Sequence, residues 1–126
     1  MSRILVVDDS QLVLDAIKET LAPQGHDLVL TQNPLEVPHL IKVVRPDLVL
    51  VDLNMPTLRG DVVARIIRKA FGPDVVVLLH TELPEEAKSL VSPECADGVV
   101  PKTQDEQTLI NAVSGFLQKL TERPRG

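Results

Sequence analysis

The sequence predicts an α/β sandwich, a parallel sheet with helices on both faces. Three observations carry that expectation. Five short apolar runs recur along the chain: ILVV (4–7), LVL (28–30), LVLV (48–51), VVVLL (75–79) and VV (99–100). They are continuous rather than alternating, the pattern of strands buried on both faces. Stretches with apolar residues at helical spacing separate them, so strand and helix alternate five times. Right-handed crossovers between parallel strands then give a doubly wound arrangement.

Each helical segment has its own markers. Val13, Ala16, Ile17 and Leu21 form one face of the first, which Pro23 and Gly25 close. Residues 34–45 carry Leu35, Leu40, Ile41 and Val44, but Pro38 has no N–H to donate. That helix is expected to begin near Pro38 or to have a distorted first turn. Val62, Val63, Ile66, Ile67 and Ala70 mark the third, ending at Gly72-Pro73. The fourth, from about Pro84 to Val91, is cut short by Pro93 and is expected to be short or irregular. The last carries Leu109, Val113, Phe116, Leu117 and Leu120, with Thr103 and Glu106 at capping-box spacing ahead of it.

Composition bounds the function. At 126 residues there is room for one proper core, read as a single domain over 1–120 with a short polar tail at 121–126. The net charge of -5 argues against direct nucleic-acid binding, which wants a basic stripe. The longest apolar run, VVVLL, is far too short to span a bilayer, and a strand starting at residue 4 leaves no room for a signal peptide. A single cysteine, Cys95, cannot form an internal disulfide and points to a reducing cytoplasm. With only two aromatic residues, Phe71 and Phe116, the core must be built from Val, Leu and Ile.

In doubly wound sheets ligands bind beyond the carboxyl ends of the strands. Those ends carry Asp8 and Asp9 after the first strand, Asp52 in VLVDLNMP (49–56), His80-Thr81 after the fourth and Pro101-Lys102 after the fifth. Three carboxylates on one rim repel unless a hard cation compensates them. Oxygen ligands beside a phosphate suit Mg²⁺, which keeps several waters and needs few protein carboxylates. An aspartate can also serve as nucleophile and carry an acyl phosphate, with Mg²⁺, a lysine and a hydroxyl neutralising the phosphoryl oxygens. Taken singly the signals are weak: paired aspartates can cap a helix, and a lone lysine is usually a surface residue.

Together they are specific. VVDDS (6–10), PDLVLVDLNMP (46–56), Gly60, LLHT (78–81), ADG (96–98) and PKT (101–103) occur in order and at the right separations. Over essentially its whole length the chain resembles the receiver domain of two-component response regulators, of the single-domain chemotaxis-regulator type. The resemblance implies a flavodoxin-like three-layer sandwich with five helices and strand order 2-1-3-4-5. It implies that Asp52 accepts a phosphoryl group from a histidine kinase or phosphotransfer protein. Asp9 and Asp52 then bind Mg²⁺ through side chains, Asn54 through its backbone carbonyl and Asp8 through water. Lys102 pairs with a phosphoryl oxygen, and Thr81 is the switch hydroxyl. His80, one residue earlier, is the alternative occupant of that position and would leave it without a hydroxyl. Charge on Asp52 then biases the face formed by the fourth helix, fifth strand and fifth helix, through which the family pattern also implies phosphate-driven dimerisation.

The chain departs from the family on that output side. Val99 stands where many receivers carry an aromatic residue, Thr103 follows the lysine where a proline is usual, and Cys95 replaces a glycine. The expected activity is therefore that of a phosphoacceptor switch with at most slow self-dephosphorylation, not an enzyme acting on other molecules. Two alternatives compete. A pseudo-receiver would act as a phosphorylation-independent interaction module. A phosphatase resembling the haloacid dehalogenase class would need a second aspartate at position 54, which is Asn, and a longer chain.

Overall fold

β-Branched and leucine-rich runs that bury both faces need a covering layer on each side, and here they assemble side by side between two. The computed structural model describes residues 2–122, with β1 (Arg3–Val7), α1 (Gln11–Leu21), β2 (Asp27–Thr31), α2 (Val37–Val44), β3 (Leu48–Asp52), α3 (Gly60–Phe71), β4 (Val76–Thr81), a 3-10 helix (Pro84–Leu90), β5 (Gly98–Pro101) and α4 (Glu106–Glu122). The five strands are parallel in the order β2-β1-β3-β4-β5. Strand order reverses between β1 and β3, so the crevice that binds ligands in such folds opens beyond these two.

Successive strand residues point to opposite sides, and each side has its own core. Leu5, Val7, Val49, Val51, Val77 and Leu79 pack against α2, α3 and the 3-10 helix. Ile4, Val6, Leu48, Leu50, Val76, Leu78 and Val100 pack against α1 and α4. This is the flavodoxin-like three-layer sandwich, with four α-helices and a 3-10 helix in the fourth position.

Pro38 lies in the first turn of α2, where its missing donor costs nothing, and a short 3-10 turn at Pro34–Glu36 leads in. The segment after β4 stays 3-10 because the chain must turn at once: Cys95 N–H donates to Ser92 O and Ala96 N–H to Leu90 O, closing a turn around Pro93. Three details differ from the sequence reading. In α3 the inward face is Val63, Ala64 and Ile67, while Val62, Ile66 and Ala70 face solvent. In α1 the inward residues are Leu14, Ile17, Thr20 and Leu21, with Ala16 exposed. In α3 the expected stripe was too wide, because five apolar positions span more arc than one helix face can bury, and in α1 it was rotated away from Leu14. α4 is capped by Asp105 rather than Thr103: the Asp105 carboxylate accepts from Gln107 N–H at 3.1 Å, and Thr103 Oγ accepts from Asp105 N–H. Residues 121 and 122 of the expected tail continue α4, and 123–126 lie outside the described residues.

Among the described residues no helix is long and apolar enough to cross a membrane.

Candidate functional site

Register brings the rim residues together. Val7 pairs with Val51, so Asp8, one step beyond β1, stands beside Asp52 at the end of β3, and Asp52 in turn pairs with His80 on β4. Lys102 follows β5 by one residue and lies on the same side of the sheet as Val100, His80's neighbour. Carboxylate oxygens of Asp8, Asp9 and Asp52 all lie within 4.8 Å of one another. The expected acid cluster therefore exists, with Asp8 and Asp52 buried and Asp9 exposed.

Lys102 Nζ reaches both buried acids, 3.1 Å from Asp8 Oδ2 and 3.0 Å from Asp52 Oδ1. One ammonium between two carboxylates leaves the site short of positive charge, and Asp9 adds to the deficit. Burial pushes the Asp8 carboxyl above its ordinary value, and Asp52 adds repulsion, although Ser10 N–H and Lys102 pull the other way. Burial also works against the charge on Lys102, but its hydrogen bond to Asp52 and the charge of Asp8 outweigh this and hold it above the usual lysine range. Three oxygen donors at this spacing, two of them desolvated, match what a small hard divalent cation takes from a protein. The pocket could hold a metal.

Local structure fixes these side chains. Ser10 caps α1, its hydroxyl accepting from Val13 N–H at 3.3 Å, while Ser10 N–H donates to Asp8 Oδ1 at 2.9 Å. Asp52 Oδ1 accepts from Asn54 N–H at 3.2 Å, which folds the loop back over the carboxylate. Gly60 opens α3 so close beneath this loop that a Cβ there would overlap the Asp52 carbonyl oxygen and sit 2.8 Å from Leu53 Cα. Only glycine lets α3 begin so near.

Alternation along β4 puts Thr81 and His80, the two occupants considered for the switch position, on opposite sides of the sheet. His80 shares the side that carries Asp52 and Lys102. Thr81 points toward the opposite core, as Val77 and Leu79 do, and its hydroxyl accepts from Leu83 N–H at 3.1 Å. His80 is 6% exposed, and its Nδ1 has no hydrogen-bond partner. Burial and then the Lys102 ammonium push its pKa down to about 4 against the pull of Asp52, so the ring is neutral at pH 7.

A second polar network, not anticipated from sequence, braces the β4–β5 side. Arg68 donates to Gly72 O (2.8 Å), Val75 O (2.9 Å) and Cys95 O (3.2 Å), and pairs with Asp97, whose carboxylate also accepts from Val77 N–H at 2.8 Å. The ADG motif had signalled Asp97 without indicating its partner.

An open parallel sheet with buried aspartates and a bridging lysine at its switch point defines the receiver class of two-component signalling. The chain belongs to the response regulator receiver domain family, whose model matches residues 4–114. It is 32% identical over 120 residues to the response regulator MprA of Mycolicibacterium vanbaalenii, covering 94% of this chain and 52% of that protein. The protein PilH of Pseudomonas aeruginosa is 29% identical over 119 residues, covering 93% of this chain and 98% of that one. The chain thus spans about half the length of the MprA relatives it matches and nearly all of PilH. Among solved structures, a CheY-like receiver domain protein of Methanospirillum hungatei superposes with a TM-score of 0.87 at 22% identity, covering 97% of this chain and 98% of that one. The chemotaxis response regulator CheY4 of Vibrio cholerae gives 0.81 at 23% identity, covering 95% and 98%. At these identities the structures speak to the fold alone.

Proposed function

We propose that this receiver domain is a phosphoacceptor switch in which Asp52 is phosphorylated by a histidine kinase or phosphotransfer protein. The observation that supports this best is the sharing of Lys102 between Asp8 and Asp52 beside a third carboxylate. Asp52 Oδ1 is engaged by Lys102 and by Asn54 N–H, which leaves Oδ2 as the nucleophile. Oδ2 attacks phosphorus, the bond from phosphorus to the donor's nitrogen or oxygen breaks, and the donor leaves with that electron pair. Asp9, Asp52 and the backbone carbonyl of Asn54, with Asp8 through water, would hold Mg²⁺, which when bound would supply the positive charge that the phosphoryl oxygens need. Lys102 orients the carboxylate and then pairs with a phosphoryl oxygen.

The protein is a switch and not an enzyme for other substrates: the added charge biases the face of the 3-10 helix, β5 and α4. Leu83 and Val91 are exposed on the connection between β4 and β5 and suit a protein partner there, or a second copy of the phosphorylated chain. The acidic balance leaves direct nucleic-acid binding out, and the cytoplasm is the compartment where such kinases present their phosphohistidine.

The test is incubation with Mg²⁺ and acetyl phosphate, followed by intact-mass measurement. One added phosphoryl group is expected on the wild type and none on Asp52→Asn. No label on the wild type, with no response to beryllofluoride, would identify a pseudo-receiver instead.

A further inference from the structure

We propose that the outer groove between α2 and α3 docks an acidic amphipathic helix of a partner protein. The two helices touch one another over the same core, on the side of the sheet away from α1 and α4. Four of the seven exposed large apolar side chains among the described residues lie on this pair or on the turn leading into it: Leu35, Val43, Val62 and Ile66. Scattered singly such residues need no explanation, but gathered on one helix pair they mark an interaction surface.

The groove has two unlike ends. Its narrow end holds about 80 Å³ and is walled by apolar side chains alone, Leu35, Leu58 and Ile66 among them. Pockets for small molecules begin at roughly 300 Å³, so this cleft suits a single apolar side chain of a larger partner. The wide end holds about 460 Å³ and is lined by Lys42 and Arg45 from α2 and its cap, opposite Phe71 and Asp74. With twelve residues, α3 gives the groove a length of about 18 Å. An occupant that is apolar at one end and charged at the other over that distance is an amphipathic helix laid along it.

Charge sets the sign of the partner. Val62, Arg65, Ile66 and Lys69 follow at i, i+3, i+4 and i+7, so apolar and basic groups share one exposed stripe of α3. Together α2 and α3 carry Lys42, Arg65, Arg68 and Lys69 against Asp61, whereas α1, the 3-10 helix at 84–90 and α4 each carry one more acid than base. Asp61 is already paired with Arg59, and Arg68 with Asp97. Among the described residues, Lys42, Arg45, Arg65 and Lys69 are exposed and none lies within ion-pair distance of a carboxylate. On a chain of net charge -5 this face is the one that complements an acidic partner. An anionic bilayer would meet the same charges, but a flat surface does not enter a cleft floored by buried Val63. A second copy would have to offer its acidic α1 or α4, a head-to-tail contact that builds rings or filaments.

The experiment titrates the ¹⁵N-labelled full chain, without phosphodonor, with a panel of helical peptides of about 14 residues. Each carries Leu or Phe at i, i+3, i+4 and i+7 and glutamates elsewhere. Amide shifts confined to 34–45 and 58–74 are expected. Ile66→Asp should weaken binding at least about tenfold and the double variant Arg65→Glu/Lys69→Glu roughly tenfold, both melting as the wild type does. No phosphate is involved, so the result stands or falls apart from the phosphoacceptor reading. Absence of binding across the acidic panel, equal binding of twins with lysine for glutamate, or shifts elsewhere on the chain overturns the proposal. So does flotation with phosphatidylglycerol vesicles that Arg65→Glu/Lys69→Glu abolishes, which assigns the face to a membrane. Self-association in sedimentation that Ile66→Asp abolishes assigns it to a second copy and overturns the proposal equally.

Discussion

The two halves of the acidic rim are built differently. On the β1–β3 side each strand runs into a regular helix, one capped by Ser10 and the other opened by Gly60 directly beneath Asp52. The acids there are held by backbone N–H groups two residues on, at Ser10 and Asn54. On the β4–β5 side the connection is a 3-10 helix followed by a tight turn, β5 has four residues, and the brace is one side chain, Arg68. Positioning of the carboxylates therefore comes from local backbone geometry, whereas the neighbouring half depends on a few long-range polar contacts. A rim of this kind can keep its chemistry while its output side shifts.

Cutting the brace should break the contrast most severely. Arg68→Met removes the guanidinium from Asp97 and from the carbonyls of Gly72, Val75 and Cys95, and loss of a buried pair's partner costs about 4 kcal/mol. Urea unfolding is expected to show that loss, while the folded fraction still takes label from acetyl phosphate. Equal loss of stability and labelling would mean that the two halves are one mechanical unit.

The next effect is on the pH profile. His80 has a folded pKa of about 4 against 6.5 in the unfolded chain, so the unfolded state binds the proton first as pH falls. Its contribution is complete above pH 6.5 and is lost as pH drops toward 4, on the order of 3 kcal/mol in all. Melts in EDTA should show this slope, and His80→Leu should flatten it. A variant with the wild-type slope would assign the acid sensitivity to the carboxylates instead.

The smallest effects compare the caps. Ser10→Ala and Asp105→Ala should each cost about 1 kcal/mol of stability. Only Ser10→Ala is expected to alter labelling, because its cap orders the turn whose N–H holds Asp8. Matching effects on labelling would erase the distinction between the two halves.

Much of this was legible in the sequence, and for physical reasons. Buried parallel strands leave unbroken apolar runs, and their ends leave carboxylates that nothing apolar can replace, so Asp8, Asp9, Asp52 and Lys102 could be named before any coordinates. The proline at 38 and the irregular segment before Pro93 were equally readable, since proline removes a donor wherever it stands. Facing was harder. In α3 an excess of apolar residues hid which ones turn inward, and in β4 a one-residue difference in loop length left both His80 and Thr81 open for the switch position. The partnership of Arg68 and Asp97 spans 29 residues and leaves no local signature.

Cys95, the sole thiol of the sequence, is fully buried, and burial raises its pKa even though neighbouring cations partly oppose this. Alkylating reagents at neutral pH will therefore find little thiolate to attack in the folded protein. A cysteine introduced at exposed Leu83 can carry a spin label or fluorophore with almost no background. The β4–β5 half of the molecule can then be watched directly in a chain that has no tryptophan to report on it.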